Sequence, residues 1–355
     1  MTRDLTIVNA LGILDNPNSA ASIAAASELN PTSDQLTIDE RTLADARASG
    51  LTAVNVTLGY TMGEMEPYAH TLREIATWDR LVAEHPADLV QVLTAADIDR
   101  ARADGRIGII YGFQNAVAVG DDPGRVAEFQ RLGVRVIQLT YNQANHLGDG
   151  SMAAENRGLS AIGRDVVAAL NDARVMVDLS HSGERTCLDA IRTSAAPISI
   201  NHTGCRALVD VPRNKTDEEL RLVADSGGFV GIYFMPFLSP TGHATAADVV
   251  AHLEHAVDVC GEDAVGIGTD GGVTGIDDLE TWKKAFAAQI NRRRAMGISA
   301  PGERSDSYIF AIDMTGPEQF RILAEKLSAR GHPAARIDKI LGLNFLRYAE
   351  RIWGG

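Results

Sequence analysis

Three runs of apolar and β-branched residues each end on a group able to do chemistry: Val175-Met-Val-Asp-Leu-Ser-His181, Pro197-Ile-Ser-Ile-Asn-His202 and Val265-Gly-Ile-Gly-Thr-Asp270. Runs of this kind read as buried parallel strands. Imidazole and carboxylate are costly in an apolar interior, so at strand ends they face a cleft. Two imidazoles can share one cation, and a nearby carboxylate can be a ligand or accept the proton of metal-bound water. That is the skeleton of a metal-assisted hydrolase. One such residue would be an ordinary hydrogen-bonding rim group; three at matching positions indicate a site.

His181 and His202 are 21 residues apart, one strand–helix unit. Adjacent strands lie about 4.8 Å apart, close enough for both rings to meet one ion. Arg213, in Pro212-Arg-Asn-Lys215, follows the second run. Its forked donor suits a substrate carboxylate, and an ordinary salt bridge at the approach to the next helix is the competing reading. Gln114, Tyr141, Asn142 and Tyr233 fall at the ends of other strand-like runs on the same rim.

Other polar residues carry less. His252 and His255, three apart on a helical segment without a third ligand, read as a surface pair. His146 lies in a loop that can reach the cleft as a substrate contact. Asp121-Asp122 precede Pro-Gly and read as turn chemistry. The three cysteines, Cys187, Cys205 and Cys260, form no CxxC pair. A reducing compartment fits them better than a disulfide framework, and Cys205 reads as a buried spectator thiol. No GxSxG elbow or phosphate-binding glycine loop occurs.

The elements that must position these groups alternate regularly. Strands are expected at Leu5–Ala10, Leu51–Thr57, Ile107–Gly112, Val134–Thr140, Val175–Asp178, Ile198–Asn201, Gly228–Phe234 and Val265–Thr269. Helical spacing fills Leu36–Ser49, Tyr68–Glu84, Arg125–Leu132, Leu159–Asn171, Glu184–Thr193, Asp217–Asp225 and Ala247–Cys260. Ser33 and Thr216 read as N-caps, and Gly50, Gly133 and Gly227 as C-terminal glycines. Eight β–α alternations specify an α/β fold, a (β/α)₈ TIM barrel of the metal-dependent hydrolase type. The 355 residues alone suggest about two domains. One barrel over 1–355 absorbs them, with an irregular insertion around 271–307 and a closing helix at about Ile337–Ile352. Gly342 and Asn344 weaken that helix locally. The basic stretch Asn291-Arg-Arg-Arg294 reads as a solvated helix end or a loop over the barrel mouth.

Composition limits the partners. A formal net charge of −14 argues against nucleic acid and anionic membrane surfaces. No signal-like start and no apolar run of about 18 residues is present, so a soluble, cytoplasmic protein is expected. A small-molecule substrate and a homo-oligomer are both compatible with the sequence.

The strings VDLSH181SG, NH202TGCRAL followed by P212RN, GG228FVGIYF, VGIGTD270 and LGLNFLRY resemble the membrane (renal-type) dipeptidase family, peptidase family M19 of the amidohydrolase superfamily. The resemblance runs in order from about residue 107 to 349. It implies a two-zinc barrel that hydrolyses dipeptides, including those with a D-residue at the C-terminal side. It also implies that His181 and His202 serve the second zinc and Arg213 the substrate carboxylate. Asp270 would be the aspartate of the last strand, and Tyr141 stands where typical members have a substrate-contacting histidine.

Typical members carry His-x-Asp at the end of the first strand and a bridging glutamate after the third. Here Leu11 and Ile13 replace the first pair and Gln114 the glutamate. Aliphatic side chains bind no cation, and a neutral amide bridges two poorly. The sequence therefore leads to one zinc or other divalent transition metal per chain, on His181, His202 and Asp270 with Gln114 beside them, and to no second metal. Asp270 is the expected proton carrier, with Arg213, Tyr141, Asn142 and Tyr233 as substrate contacts. The expected activity is hydrolysis of small dipeptides with a free carboxylate. A hydrolase of another small carboxylated amide, ester or lactone, or a degenerate ligand-binding barrel, are the alternatives.

Overall fold

A computed structural model describes residues 5–20, 22–23, 36–295 and 304–354. Nine strands run β1 Ile7–Gly12, β2 Leu51–Thr57, β3 Leu89–Gln91, β4 Ile107–Phe113, β5 Val134–Gln138, β6 Met176–Asp178, β7 Ser199–Thr203, β8 Phe229–Ile232 and β9 Val265–Ile267. All pairings are parallel, in the order β1-β2-β4-β5-β6-β7-β8-β9. The eight strands expected from sequence are these eight; β5, β6, β8 and β9 are shorter by one to three residues, β1 and β7 are shifted towards the C-terminus, β4 is one residue longer and β2 is as expected. The ninth, β3, pairs outside the ring with β4.

The ring is brought nearly to closure between β9 and β1 by polar contacts at the mouth. The Asp270 amide donates to the Leu11 carbonyl at 3.0 Å and the Ile13 amide to the Gly271 carbonyl at 3.1 Å. Inside, the Asn9 amide donates to Thr269 Oγ1 at 2.8 Å, and its oxygen accepts from the Thr269 backbone at 2.8 Å. Side chains this polar fit the interior because glycines face them. A Cβ on Gly12 would strike the Asn9 side chain, and one on Gly231 or Gly268 the Asn201 carbonyl. Near this rim, small residues thus make room for polar groups inside the barrel.

Helices cover the outside. Asp39 caps α1 Glu40–Ala48 by accepting from the Thr42 amide; the Ser33 expected in that role lies outside the described residues. Between β7 and β8, Thr216 forms a reciprocal capping box with Glu219 at the start of Asp217–Asp225. Gly50, Gly133 and Gly227 all have positive φ just beyond helix ends, as expected. After β9 a helix spans Leu279–Ala295 and carries Arg292, Arg293 and Arg294 in its last turn. The C-terminal helix is interrupted by a π-turn at Lys339–Leu343. A side chain on Gly342 would hit the Thr6 carbonyl. Asn344 donates to the Glu262 and Val265 carbonyls at 2.8 and 2.7 Å. The two residues that weaken the helix are those that seat it on the barrel.

Candidate active site

Asp178 holds the two histidine-bearing segments in register. Its Oδ1 accepts from the Ser180 amide and hydroxyl at 3.0 and 2.5 Å and from the Asn201 amide at 3.0 Å. Ser180 Oγ in turn accepts from the His202 amide at 3.0 Å. One buried carboxylate therefore pins the backbone beside both His181 and His202. Sequence reasoning passed over Asp178, although an acidic residue within an apolar strand was the available signal.

The rings of His181 and His202 lie with centroids 4.9 Å apart, so the pairing expected from spacing is present. Tyr141 stacks on His181, with ring centroids 4.3 Å apart. His181 Nδ1 is 2.6 Å from Asn142 Oδ1, and Nε2 is 3.1 Å from Arg213 Nη2. Since Oδ1 only accepts and guanidinium only donates, His181 carries its proton on Nδ1 and offers its lone pair to Arg213. His202 is fully buried, and neither of its ring nitrogens has a partner among the described residues. Burial, reinforced by Arg213, pushes both imidazoles well below their ordinary pKa, so both are neutral.

Arg213 is 2% exposed. It donates to the Ser180 carbonyl at 2.5 Å and faces the Tyr233 ring at 5.8 Å. No carboxylate lies within ion-pair distance of it among the described residues. Asp270 adopts φ 56°, a left-handed conformation that aspartate tolerates better than most residues, and it is half-buried. Burial pushes its carboxyl up to about 6, while Arg213 and Arg293 pull it back down.

Several of the expected site residues have partners within the chain. The Asn142 side chain is spent on His181. Tyr233 is fully buried, its hydroxyl donates to Asn214 Oδ1 and its ring lies under Arg213. Gln114 turns its amide nitrogen to Thr57 Oγ1 at 2.7 Å. His146 is held by the Gly120 carbonyl at 2.9 Å. His252 is no surface residue: it is 1% exposed and bridges the Cys205 amide and the Leu238 carbonyl. His255 pairs with Asp217 at 2.7 Å. Cys205 is buried, as expected of a spectator.

These donors do not fit the single zinc expected from sequence. Among the described residues no three His, Cys, Asp or Glu side chains come together as an ion-binding group. His202 has free nitrogens, but the lone pair of His181 already faces a guanidinium. Arg213, Lys215 and Arg293 all act on His181 as positive charges. Glu219 pairs with Lys215, and Asp270 feels both Arg213 and Arg293, so a divalent ion here would add to the positive charge already facing His181. Leu11 is buried and Ile13 is 42% exposed at the positions of the missing ligands.

Among solved structures, the chain is similar to an amidohydrolase from Pseudomonas aeruginosa: 31% identical, TM-score 0.81, covering 99% of this chain and 98% of that one. A metallo peptidase from Rhodobacter sphaeroides, liganded with a phosphinate mimic of the dipeptide L-Ala-D-Ala, shares the fold at 20% identity and TM-score 0.75, covering 98% and 99%. An uncharacterized dipeptidase of Schizosaccharomyces pombe is 31% identical over 245 residues, 65% of this chain and 59% of that protein. Among the described residues no helix is long and apolar enough to cross a membrane. The model of the membrane dipeptidases matches residues 23–297. With a parallel barrel and rim histidines in the places the motifs require, the chain belongs to the membrane dipeptidase family, peptidase family M19, a family of metal-dependent, dipeptidase-type hydrolases.

Proposed function

We propose that this protein hydrolyses small dipeptide-like amides anchored by a free carboxylate, and that its site works without a resident metal. The observation that carries the reading is Arg213, a buried guanidinium with no carboxylate within ion-pair distance among the described residues. Asp270 acts on this charge without forming an ion pair with it, and a buried charge left so incompletely paired is disfavoured unless a counter-ion completes it. A substrate carboxylate supplies one and matches the bidentate fork.

The remaining groups divide the work. Asp270, with a pKa of about 6, is ionised at neutral pH and takes the proton of the attacking water. It then returns that proton to the leaving amine. His202, neutral and with both nitrogens free, holds the water or the scissile carbonyl through a hydrogen bond. His181 is fixed by Asn142 and Tyr141 and keeps Arg213 in place. Amide hydrolysis by a carboxylate acting on water needs no Lewis acid, although an ester or lactone would react more readily.

Steady-state hydrolysis of L-Ala-D-Ala and of its C-terminal amide, with chelator present, tests the reading. The expected result is at least a tenfold preference for the free carboxylate, lost in Arg213→Lys mainly through KM. Equal rates on both peptides, or an unchanged Arg213→Lys enzyme, would overturn it. Carboxylate binding without turnover would assign the site to ligand binding alone.

A further inference from the structure

Next to Asp270 the barrel mouth opens into a cavity of about 200 Å³. Thr269 and Gly271, the two neighbours of Asp270, are in its wall, so it adjoins the site directly. The rest is mostly apolar: Ile13, Phe234, Trp282, Phe286 and Phe310. Trp282 stacks on Phe286 at 5.0 Å and meets Phe310 at 5.1 Å, which makes one side an aromatic wall. A cavity of about 150 Å³ suffices for a benzene molecule, so this one has room for a single aromatic or branched side chain.

One acidic group interrupts the apolar lining. Asp15 Oδ1 lies 3.7 Å from where a Cβ on Gly272 would stand, so the bare glycine leaves space in front of it. The Asp15 carboxyl has no hydrogen-bond or ion-pair partner among the described residues. The nearest charge acting on it is Asp39, of the same sign, and Asp39 is itself occupied with Asn16 and Thr42. Burial and Asp39 together push Asp15 up to about 6. An apolar cavity with one unpaired carboxyl is complementary to an apolar group carrying an ammonium.

We infer that this cavity is the subsite for the amino-terminal residue of the substrate. Its apolar or aromatic side chain packs on Ile13 and Trp282, and its ammonium faces Asp15. The inference rests on the reading that Arg213 holds the opposite, carboxylate end. Ile13 thereby acquires a role: at a position where typical relatives place a metal ligand, this chain builds the wall of a side-chain pocket. Asp15 and Ile13 are then specificity-determining residues.

Calorimetric titration of the full chain separates the two ends. L-Phenylalaninamide, which has the aromatic side chain and ammonium but no carboxylate, probes the cavity alone; N-acetyl-D-alanine probes Arg213 alone. The expected result is that L-phenylalaninamide binds at least tenfold more tightly than L-alaninamide and than N-acetyl-L-phenylalaninamide. Asp15→Asn should abolish the preference for the free amine. Ile13→Asp, or Trp282→Ala if the first fails to fold, should abolish the preference for the phenyl group. None of the three should alter N-acetyl-D-alanine binding, and Arg213→Met should abolish it while sparing L-phenylalaninamide. Absence of saturable L-phenylalaninamide binding, or preferences that survive in Asp15→Asn and Ile13→Asp, would overturn the inference. Loss confined to the N-acetyl-D-alanine arm would overturn only the carboxylate reading.

Discussion

Lys215 and Arg213 are two residues apart on one loop, and both are buried cations, 1% and 2% exposed. Lys215 has its counter-ion: Glu219, one helical turn on, lies 3.5 Å away and is equally buried. Its ammonium also donates to the Ser182 carbonyl and to Cys187 Sγ. Arg213 has two acceptors and no carboxylate. A charge whose partner is supplied by the chain is part of the scaffold, while a charge without an ion-pair partner among the described residues is available to a ligand. The difference separates a structural cation from a binding one without recourse to family resemblance.

Breaking the paired cation should have the largest effect on stability. Lys215→Met leaves Glu219 charged and buried, and should cost about 3–5 kcal/mol in urea unfolding. Arg213→Met removes a charge that has no ion-pair partner among the described residues, so its unfolding free energy should stay within about 1 kcal/mol of the parent. The same variant should weaken N-acetyl-D-alanine binding by a factor on the order of 10². A large stability loss in Arg213→Met would erase the distinction.

The pH dependence sharpens the comparison. If ionised Asp270 is the base, kcat/KM should fall tenfold per unit as pH drops below about 6. Arg213 pulls that pKa down, so in Arg213→Met the acid limb should move to higher pH, whereas Lys215 does not figure among the charges acting on Asp270. The sign for stability is opposite to that for activity. The folded-state pKa lies above the ordinary 3.8. The folded protein therefore binds this proton more tightly than the unfolded chain, and the contribution of Asp270 to stability grows as pH falls from about 6 towards 4. An acid limb unmoved by Arg213→Met would show that another group titrates. Thr216→Ala, which removes a helix cap beside Lys215 while touching neither cation, should cost about 1 kcal/mol and leave ligand binding unchanged.

Much of this arrangement was legible in the sequence. The β-branched runs ending at His181, His202 and Asp270 placed all three on one rim, because strand periodicity and barrel topology are local and repetitive. Thr216 announced the start of its helix for the same reason, while its capping partner Glu219 was not singled out. The strand Leu89–Gln91 escaped notice because three residues carry too little periodicity to register. The contact between Arg213 and His181 was equally hidden, since it depends on how the loop after β7 folds back onto the end of β6. That contact converts a plausible zinc ligand into a guanidinium acceptor. The cavity was the least legible feature, for Ile13, Asp15, Phe234, Trp282 and Phe310 come from four separate segments.

Metal content is the most direct test of a site that works through Arg213 and not through zinc. The full chain, purified without chelator, supplied with zinc and then dialysed, should retain well under 0.1 equivalent by elemental analysis, on the order expected of weak surface binding. N-Acetyl-D-alanine affinity and dipeptide turnover should be the same before and after chelator treatment. One tightly held equivalent of zinc, lost together with activity in His181→Ala or His202→Ala, would contradict the account.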